Sequence, residues 1–333
     1  MAICILGDIH FASHKDFLIA TCEKFLEWFK NWERNSPENY LILTGDLVHD
    51  YINGGVVINF LERFIQTSRF KEIHICVGNH DMNKYQNLDQ LAYEFYNNKP
   101  NVFIYKKAAK AKIGSLNTLI LPYFTGINDE GKTMSEYYSN IWKNKEFKDH
   151  YDLTVGHFCG EDNSFPGATD CVKNLDKINT DKLCLGHIHT RHINPRVYIG
   201  SVYAGRKNEN DYTRSAWVCD EEGWKEERLP IFNEFITFSY PDPLPNSKSL
   251  VPIYTILNCS SEKLARDKYG NIFIRRSTIE ATDFIAKKLD NEANFNYIKN
   301  INIPELFKEF LKVQSPLLNE DVINNCKNAL KIR

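Results

Sequence analysis

The stretch Ala2-Ile3-Cys4-Ile5-Leu6-Gly7-Asp8-Ile9-His10 sets an apolar run ahead of a glycine, then supplies a carboxylate and an imidazole. The same arrangement returns along the chain. Tyr40 to Thr44 precedes Gly45-Asp46-Leu47-Val48-His49, and Glu72 to Val77 precedes Gly78-Asn79-His80-Asp81. Leu153 to Val155 precedes Gly156-His157, and Lys182 to Leu185 precedes Gly186-His187-Ile188-His189. Short aliphatic runs bounded by glycine read as strands of a sheet covered on both faces. A glycine at each strand end lets the backbone turn tightly, so the following side chains can face one common edge. Two Asp, one Asn and six of the ten histidines are thereby aimed at one place.

A single histidine beside a strand usually packs or faces water. Five strand-terminal motifs that each carry a ligand-capable residue after glycine point instead to a pair of divalent metals. His14, His74, His150 and His192 lack that context and read as surface or packing residues.

The series GDIH, GDLVHD, GNHD, GH and GHIH resembles the calcineurin-like metallophosphoesterase family. Within it the chain is most similar to SbcD-type nuclease subunits of DNA double-strand-break repair complexes and to recombination nucleases of large tailed phages. That branch is suggested by His49, three positions after Asp46, by Tyr198-Ile199-Gly200-Ser201, and by the segment beyond residue 230. The resemblance implies a four-layer α/β/β/α sandwich, a small α+β capping domain and a C-terminal helical segment. It also implies two metal sites bridged by Asp46, with Asp8, His10 and His189 on one ion and Asn79, His157 and His187 on the other. His80 and His49 would be the catalytic groups, with Asp81 as a natural orienting partner for His80.

Two divalent ions about 3.5–4 Å apart can activate water and stabilise both the attacking and the leaving oxygen. Mixed imidazole, carboxylate and amide ligation suits Mn²⁺, with Fe or Zn as alternatives, better than Mg²⁺. Cys159 and Cys184 neighbour the ligand motifs but read as packing residues.

Charge is nearly balanced, with 41 basic and 43 acidic residues, so net charge gives nucleic-acid binding no support and does not exclude it. The nine cysteines are scattered without a Cys-x-x-Cys pair, which suggests a reducing compartment. No signal peptide and no membrane-spanning stretch is read in the sequence, so a soluble, cytoplasmic protein is expected, in the host cytoplasm if phage-encoded. Basic runs are usually solvated faces. Only Arg191 and Arg206, which come after the metal motifs, stand out as contacts to a DNA backbone.

Helical spacing is read over Asp16 to Arg34, Val56 to Ile65 and Leu88 to Tyr96, alternating with the strands in the manner of a layered α/β domain. Proline clustering from Pro230 to Pro252 marks a boundary or hinge. The division expected is a phosphoesterase domain over 1–230, a DNA-positioning cap over 231–290, with strands at Ile253 to Leu257 and Asn271 to Ile274, and a linker with C-terminal helices over 291–333. Val322, Ile323, Cys326 and Leu330 share one stripe of the last helix. That stripe can pack on its own domain or on a partner. The resemblance implies an ABC-type coiled-coil ATPase subunit, SbcC-like, as that partner, with duplex DNA ends as substrate. It also implies a homodimer formed through helices such as the one containing Val56 to Phe64.

Three functions fit such a sequence: a DNA nuclease subunit, a stand-alone phosphoesterase acting on a small phosphodiester or a phosphoprotein, and a scaffold that keeps metals for structure. A cap and an amphipathic tail favour the first. Intact His80 beside seven ligand positions disfavours the third.

Overall fold

The computed structural model describes residues 1–50, 54–82, 90–124, 133–160, 171–193, 197–209, 213–257, 259, 262–270 and 272–276. The expected partner-binding stripe of Val322, Ile323, Cys326 and Leu330 lies outside the described residues. Two compact units are present, Met1–Glu234 with Lys248–Val251, and Phe235–Ser247 with Pro252–Arg333.

The first unit contains two large sheets. One holds β1 (Ile3–Leu6), β2 (Tyr40–Leu43), β3 (Glu72–Cys76) and β4 (Val102–Tyr105) as parallel neighbours. The other holds β5 (Ala109–Ile113), β6 (Leu116–Leu121) and β7 (Leu153–His157), followed, past the two-residue strands β8 (Cys159–Gly160) and β9 (Cys171–Val172), by β10 (Leu183–Gly186) and β11 (Val197–Tyr198). A hairpin of β12 (Ser215–Asp220) and β13 (Gly223–Arg228) adds antiparallel to β1 and completes the first sheet in the order β13-β12-β1-β2-β3-β4. The second sheet runs β11-β10-β7-β6-β5.

Alternation along each strand builds three apolar layers. Ile3, Ile5 and Ile42 point between the sheets and meet Ile120, Leu153, Val155 and Cys184. Their neighbours Cys4, Leu6, Leu41 and Leu43 point outward onto Phe25 and Phe29 of α1 (Asp16–Asn31) and Phe60 and Phe64 of α2 (Gly55–Thr67). On the opposite side Leu119, Leu121 and Leu185 pack on Met134 and Tyr138 of α3 (Met134–Lys143). Both faces of the sheets are covered, so unbroken apolar runs are the sequences required. The order of layers is α/β/β/α.

Two helices differ from their expected extents. The first ends at Asn31, because buried Asn35 donates to the carbonyls of Phe29 and Thr67 and so satisfies groups left open at two helix ends. In place of a helix over Leu88 to Tyr96, the described residues form a bridge between Met82 and Leu91 and a 3-10 turn over Glu94–Asn98. There the Ala92 N–H bonds to the Asp81 carbonyl rather than to a helical partner. On α2, Val57, Phe60, Leu61 and Phe64 are buried, while Val56 and Ile58 are exposed.

In the second unit, β14 (Asn233–Ser239), β15 (Val251–Leu257) and β16 (Phe273–Arg276) form a sheet in that order, with α4 (Glu262–Tyr269) between the last two in sequence. Phe238, Tyr254, Ile256 and Ala265 make its small core. No described helix is long and apolar enough to cross a membrane.

Candidate metal centre

The five motifs sit at the C-terminal ends of β1, β2, β3, β7 and β10, three from one sheet and two from the other. Parallel pairing within each sheet places these ends together. The first two loops are also laced to each other, with His10 N–H to the Asp46 carbonyl at 2.9 Å and His49 N–H to the Phe11 carbonyl at 3.0 Å. Asp81 fastens the third loop to the second. One of its carboxylate oxygens accepts from Leu47 N at 2.8 Å and Val48 N at 3.2 Å, the other from Gly78 N at 2.8 Å. Its carboxylate is therefore committed to backbone, and it is the His49 carbonyl that pairs with His80 Nδ1.

Close approach, more than tight turning, explains the motif glycines. A Cβ on Gly78 would lie 2.2 Å from Asp46 Oδ1, one on Gly45 2.2 Å from His157 Nδ1, and one on Gly186 2.6 Å from Asp8 Oδ1. Of these three, only Gly45 has a positive φ. The left-handed conformations fall instead on His10 (φ 53°), Asp46 (φ 49°) and His187 (φ 75°). Such backbone is uncommon outside glycine, is tolerated better by Asp and His than by most residues, and is concentrated at functional sites.

The donors gather in two groups joined by Asp46. In the first, His10 Nε2 and His189 Nε2 face each other at 2.9 Å, and their donor atoms cluster with an oxygen of Asp8. In the second, Asn79 Oδ1 lies 3.1 Å from His157 Nε2 and 3.0 Å from His187 Nδ1. Asp46 Oδ2 stands between, 3.6 Å from His10 Nε2 and 3.3 Å from His157 Nε2, while its other oxygen accepts the His80 N–H at 2.8 Å. All seven expected ligands are thus assembled. Neither oxygen of fully buried Asp8 makes a hydrogen bond of normal geometry among the described residues. A buried carboxylate in that state is costly unless a cation compensates it, and the mixed nitrogen and oxygen donors around it suit a divalent metal.

Electrostatics point the same way. Burial pushes the Asp8 carboxyl up. Burial opposes ionisation of Asp46 as well, but the surrounding imidazoles, His157 foremost, outweigh it and hold that carboxyl below the usual range. Burial works against a charged His157, yet the Asp46 and Asp8 carboxylates lift it to about 9. His10, enclosed among other imidazoles, is driven well below its ordinary value, chiefly by desolvation. The carboxylates are arranged to hold positive charge at this point.

His80 and His49 border the first group. The His80 ring centre is 4.9 Å from that of His10 and 5.5 Å from that of His49. His14, read in the sequence as an ordinary surface residue, stacks on His49 at 4.9 Å. Elsewhere His74 bonds Glu72 and Tyr105, and His150 bonds Asp181. Of the two expected DNA contacts, Arg206 is exposed, whereas the Arg191 guanidinium is paired with Glu226. Sequence reading missed Glu209, whose carboxylate meets His189 Nδ1 at 3.0 Å, and Thr44, whose carbonyl meets His157 Nδ1 at 2.7 Å. The Thr44 contact is main-chain and leaves no mark in the sequence. Glu209 has no motif around it.

A profile of the calcineurin-like phosphoesterase family matches residues 1–191. No curated protein shows significant similarity to the chain. Among solved structures, a protein of unknown function from Aquifex aeolicus is 14% identical, with 52% of this chain and 88% of that one covered at a TM-score of 0.28.

Proposed function

Because the chain belongs to the calcineurin-like phosphoesterase family, whose members are metal-dependent hydrolases, we propose that it is a two-metal phosphodiesterase that cleaves DNA as the nuclease subunit of a recombination and repair complex. The observation that carries hydrolysis is Asp46, whose carboxylate stands between the His10 and His157 nitrogens at 3.6 and 3.3 Å. Asp8, His10 and His189 would hold one cation and Asn79, His157 and His187 the other, with Asp46 on both. Two divalent ions, Mn²⁺ in this reading, supply Lewis-acid stabilisation of the phosphate and of the attacking and leaving oxygens.

The chain's own groups do the remaining work. The His80 backbone is pinned to Asp46 Oδ1, so its imidazole keeps a fixed relation to the bridging carboxylate. With Nδ1–H donated to the His49 carbonyl, Nε2 is the nitrogen left to exchange a proton with the leaving oxygen. Asp81 acts through the backbone by locking the loops that carry Asp46 and Asn79. DNA as substrate is supported by the sequence resemblance and by His49 beside His80 and His10, where it can flank the scissile phosphate. Exposed Arg206 is free to meet a neighbouring phosphate without reading sequence.

The same reading makes the active form a homodimer bound to an ABC-type ATPase through the C-terminal stripe of Val322, Ile323, Cys326 and Leu330, working in the cytoplasm on duplex ends. Digestion of linear duplex, single-stranded DNA and a small chromogenic phosphodiester in Mn²⁺ tests it. Cleavage of DNA supports the proposal, and turnover of the chromogenic ester with both DNAs untouched would replace it with a stand-alone phosphoesterase.

A further inference from the structure

We propose that Glu209 is a positioning residue for the Asp8, His10 and His189 side of the centre, held in place by a closed ring of hydrogen bonds through Ser201 and Arg214. The inference rests on the two-metal reading above and adds to it a residue outside every motif.

The ring can be traced atom by atom. The Ser201 N–H donates to the His189 carbonyl at 3.1 Å. Arg214 Nη1 donates to the Ser201 carbonyl and hydroxyl oxygens, each at 2.7 Å, and its Nη2 to the Glu209 carbonyl at 2.9 Å. Glu209 closes the circuit through Oε1, 3.0 Å from His189 Nδ1, while its Oε2 accepts the Gly205 N–H at 2.7 Å. Glu209 and Arg214 are only 6% and 9% exposed. The His189 main-chain carbonyl is thus tied, through Ser201 and Arg214, to the residue whose carboxylate contacts the His189 ring.

Chemistry sets the direction. An ionised carboxylate can only accept, so His189 Nδ1 must carry the hydrogen. Nε2 then presents its lone pair, and it is Nε2 that faces His10 Nε2 at 2.9 Å. An acceptor behind a ligating imidazole fixes its tautomer and orientation and makes it a better donor. The other group is built differently, since His157 Nδ1 faces the neutral Thr44 carbonyl at 2.7 Å. Glu209 therefore puts a hydrogen-bonded anion behind the ring of His189, whereas the hydrogen-bonded partner of His157 Nδ1 is a main-chain carbonyl and the nearest carboxylate, Asp8, stands 3.7 Å from that nitrogen. Binding Gly205 alone would not require a buried charge, which is costly to keep. The oxygen directed at His189 gives that charge a purpose.

Glu209→Ala and Glu209→Gln in the full chain separate positioning from mere support. Stepwise Mn²⁺ affinities of the stripped proteins would be read by chelator competition, and the His189 tautomer by ¹⁵N NMR without metal. In Glu209→Ala one of the two equivalents should bind about 10–100-fold more weakly, with the other unchanged and the Nδ1–H form of His189 lost. Glu209→Gln keeps a neutral acceptor, so it should restore the tautomer and part of the affinity, and it stands in if the alanine variant does not fold. Folded variants with both affinities and the tautomer unchanged would overturn the proposal. If wild type took up no Mn²⁺, the two-metal reading would fall, and the tautomer signal would still decide whether Glu209 orients His189.

Discussion

His10 and His189 meet nitrogen to nitrogen, Nε2 to Nε2, at 2.9 Å, although they lie on different sheets and far apart in sequence. His189 is held there by Glu209, and His10 by a left-handed backbone whose N–H bonds the Asp46 carbonyl. Two imidazole nitrogens brought so close share one natural occupant, a cation or proton between them. The same holds around Asn79 Oδ1, which His157 and His187 approach from the second sheet.

Replacement of Asp46 should have the largest effect. Asp46→Asn removes the charge common to both groups and weakens the acceptor of the His80 N–H. Tight occupancy should be lost at both positions and turnover abolished, with the fold retained. Metal analysis beside circular dichroism checks this, and a folded variant with full activity would be inconsistent with a shared carboxylate.

His80 should separate chemistry from binding. Its side chain contacts the His49 carbonyl, whereas it is Asn79 Oδ1 that faces His157 and His187 and is proposed as the ligand atom. His80→Ala should keep two metals and lose about 10²–10⁴-fold in single-turnover rate. Loss of metal in proportion to rate would make His80 a ligand instead.

Gly78 tests the crowding behind the centre. A methyl there would stand 2.2 Å from Asp46 Oδ1 and 2.3 Å from Asp46 N, so Gly78→Ala must push Asp46 aside. Overpacking of this kind costs about 1–3 kcal/mol. Thermal melts should show it, together with at least a tenfold fall in metal affinity. A variant that melts and binds metal like wild type would show that the loop yields freely.

Acidity of His157 gives a pH signature. Its imidazolium is lifted to about 9 by Asp46 and Asp8 against the cost of burial. The folded value exceeds the unfolded value of about 6.5. In metal-free protein this pair therefore adds stability that is complete below pH about 6.5 and lost as pH rises towards 9. Metal must displace the same proton, so affinity should climb across that window by up to about tenfold per pH unit. Chelator competition at pH 7 and pH 8 measures it, and a flat profile would mean that His157 binds no metal.

The sequence displayed most of this site because strand and ligand are written side by side. A strand covered on both faces leaves an apolar run such as Ala2 to Leu6, and the candidate ligands come after each run, beyond a glycine. The reason for the glycines was hidden, since it depends on which side chain crosses behind them. Gly78 lies against Asp46, and Gly186 against Asp8 on the other sheet. Glu209 was hidden too, because its partner is chosen by the fold and its segment has no pattern. The helix expected over Leu88 to Tyr96 failed for a related reason: its apolar spacing is real, but Tyr93 and Tyr96 are buried by a turn fastened to Asp81.

Two ions sharing Asp46, both needed for hydrolysis, would lie at the centre of the proposed mechanism. Titrating Mn²⁺ into stripped protein, with single-turnover cleavage of a phosphodiester recorded at each equivalent, tests it most directly. Activity should stay near zero through the first equivalent, rise through the second and plateau there. Full activity at one equivalent per chain, unchanged by the second, would contradict it.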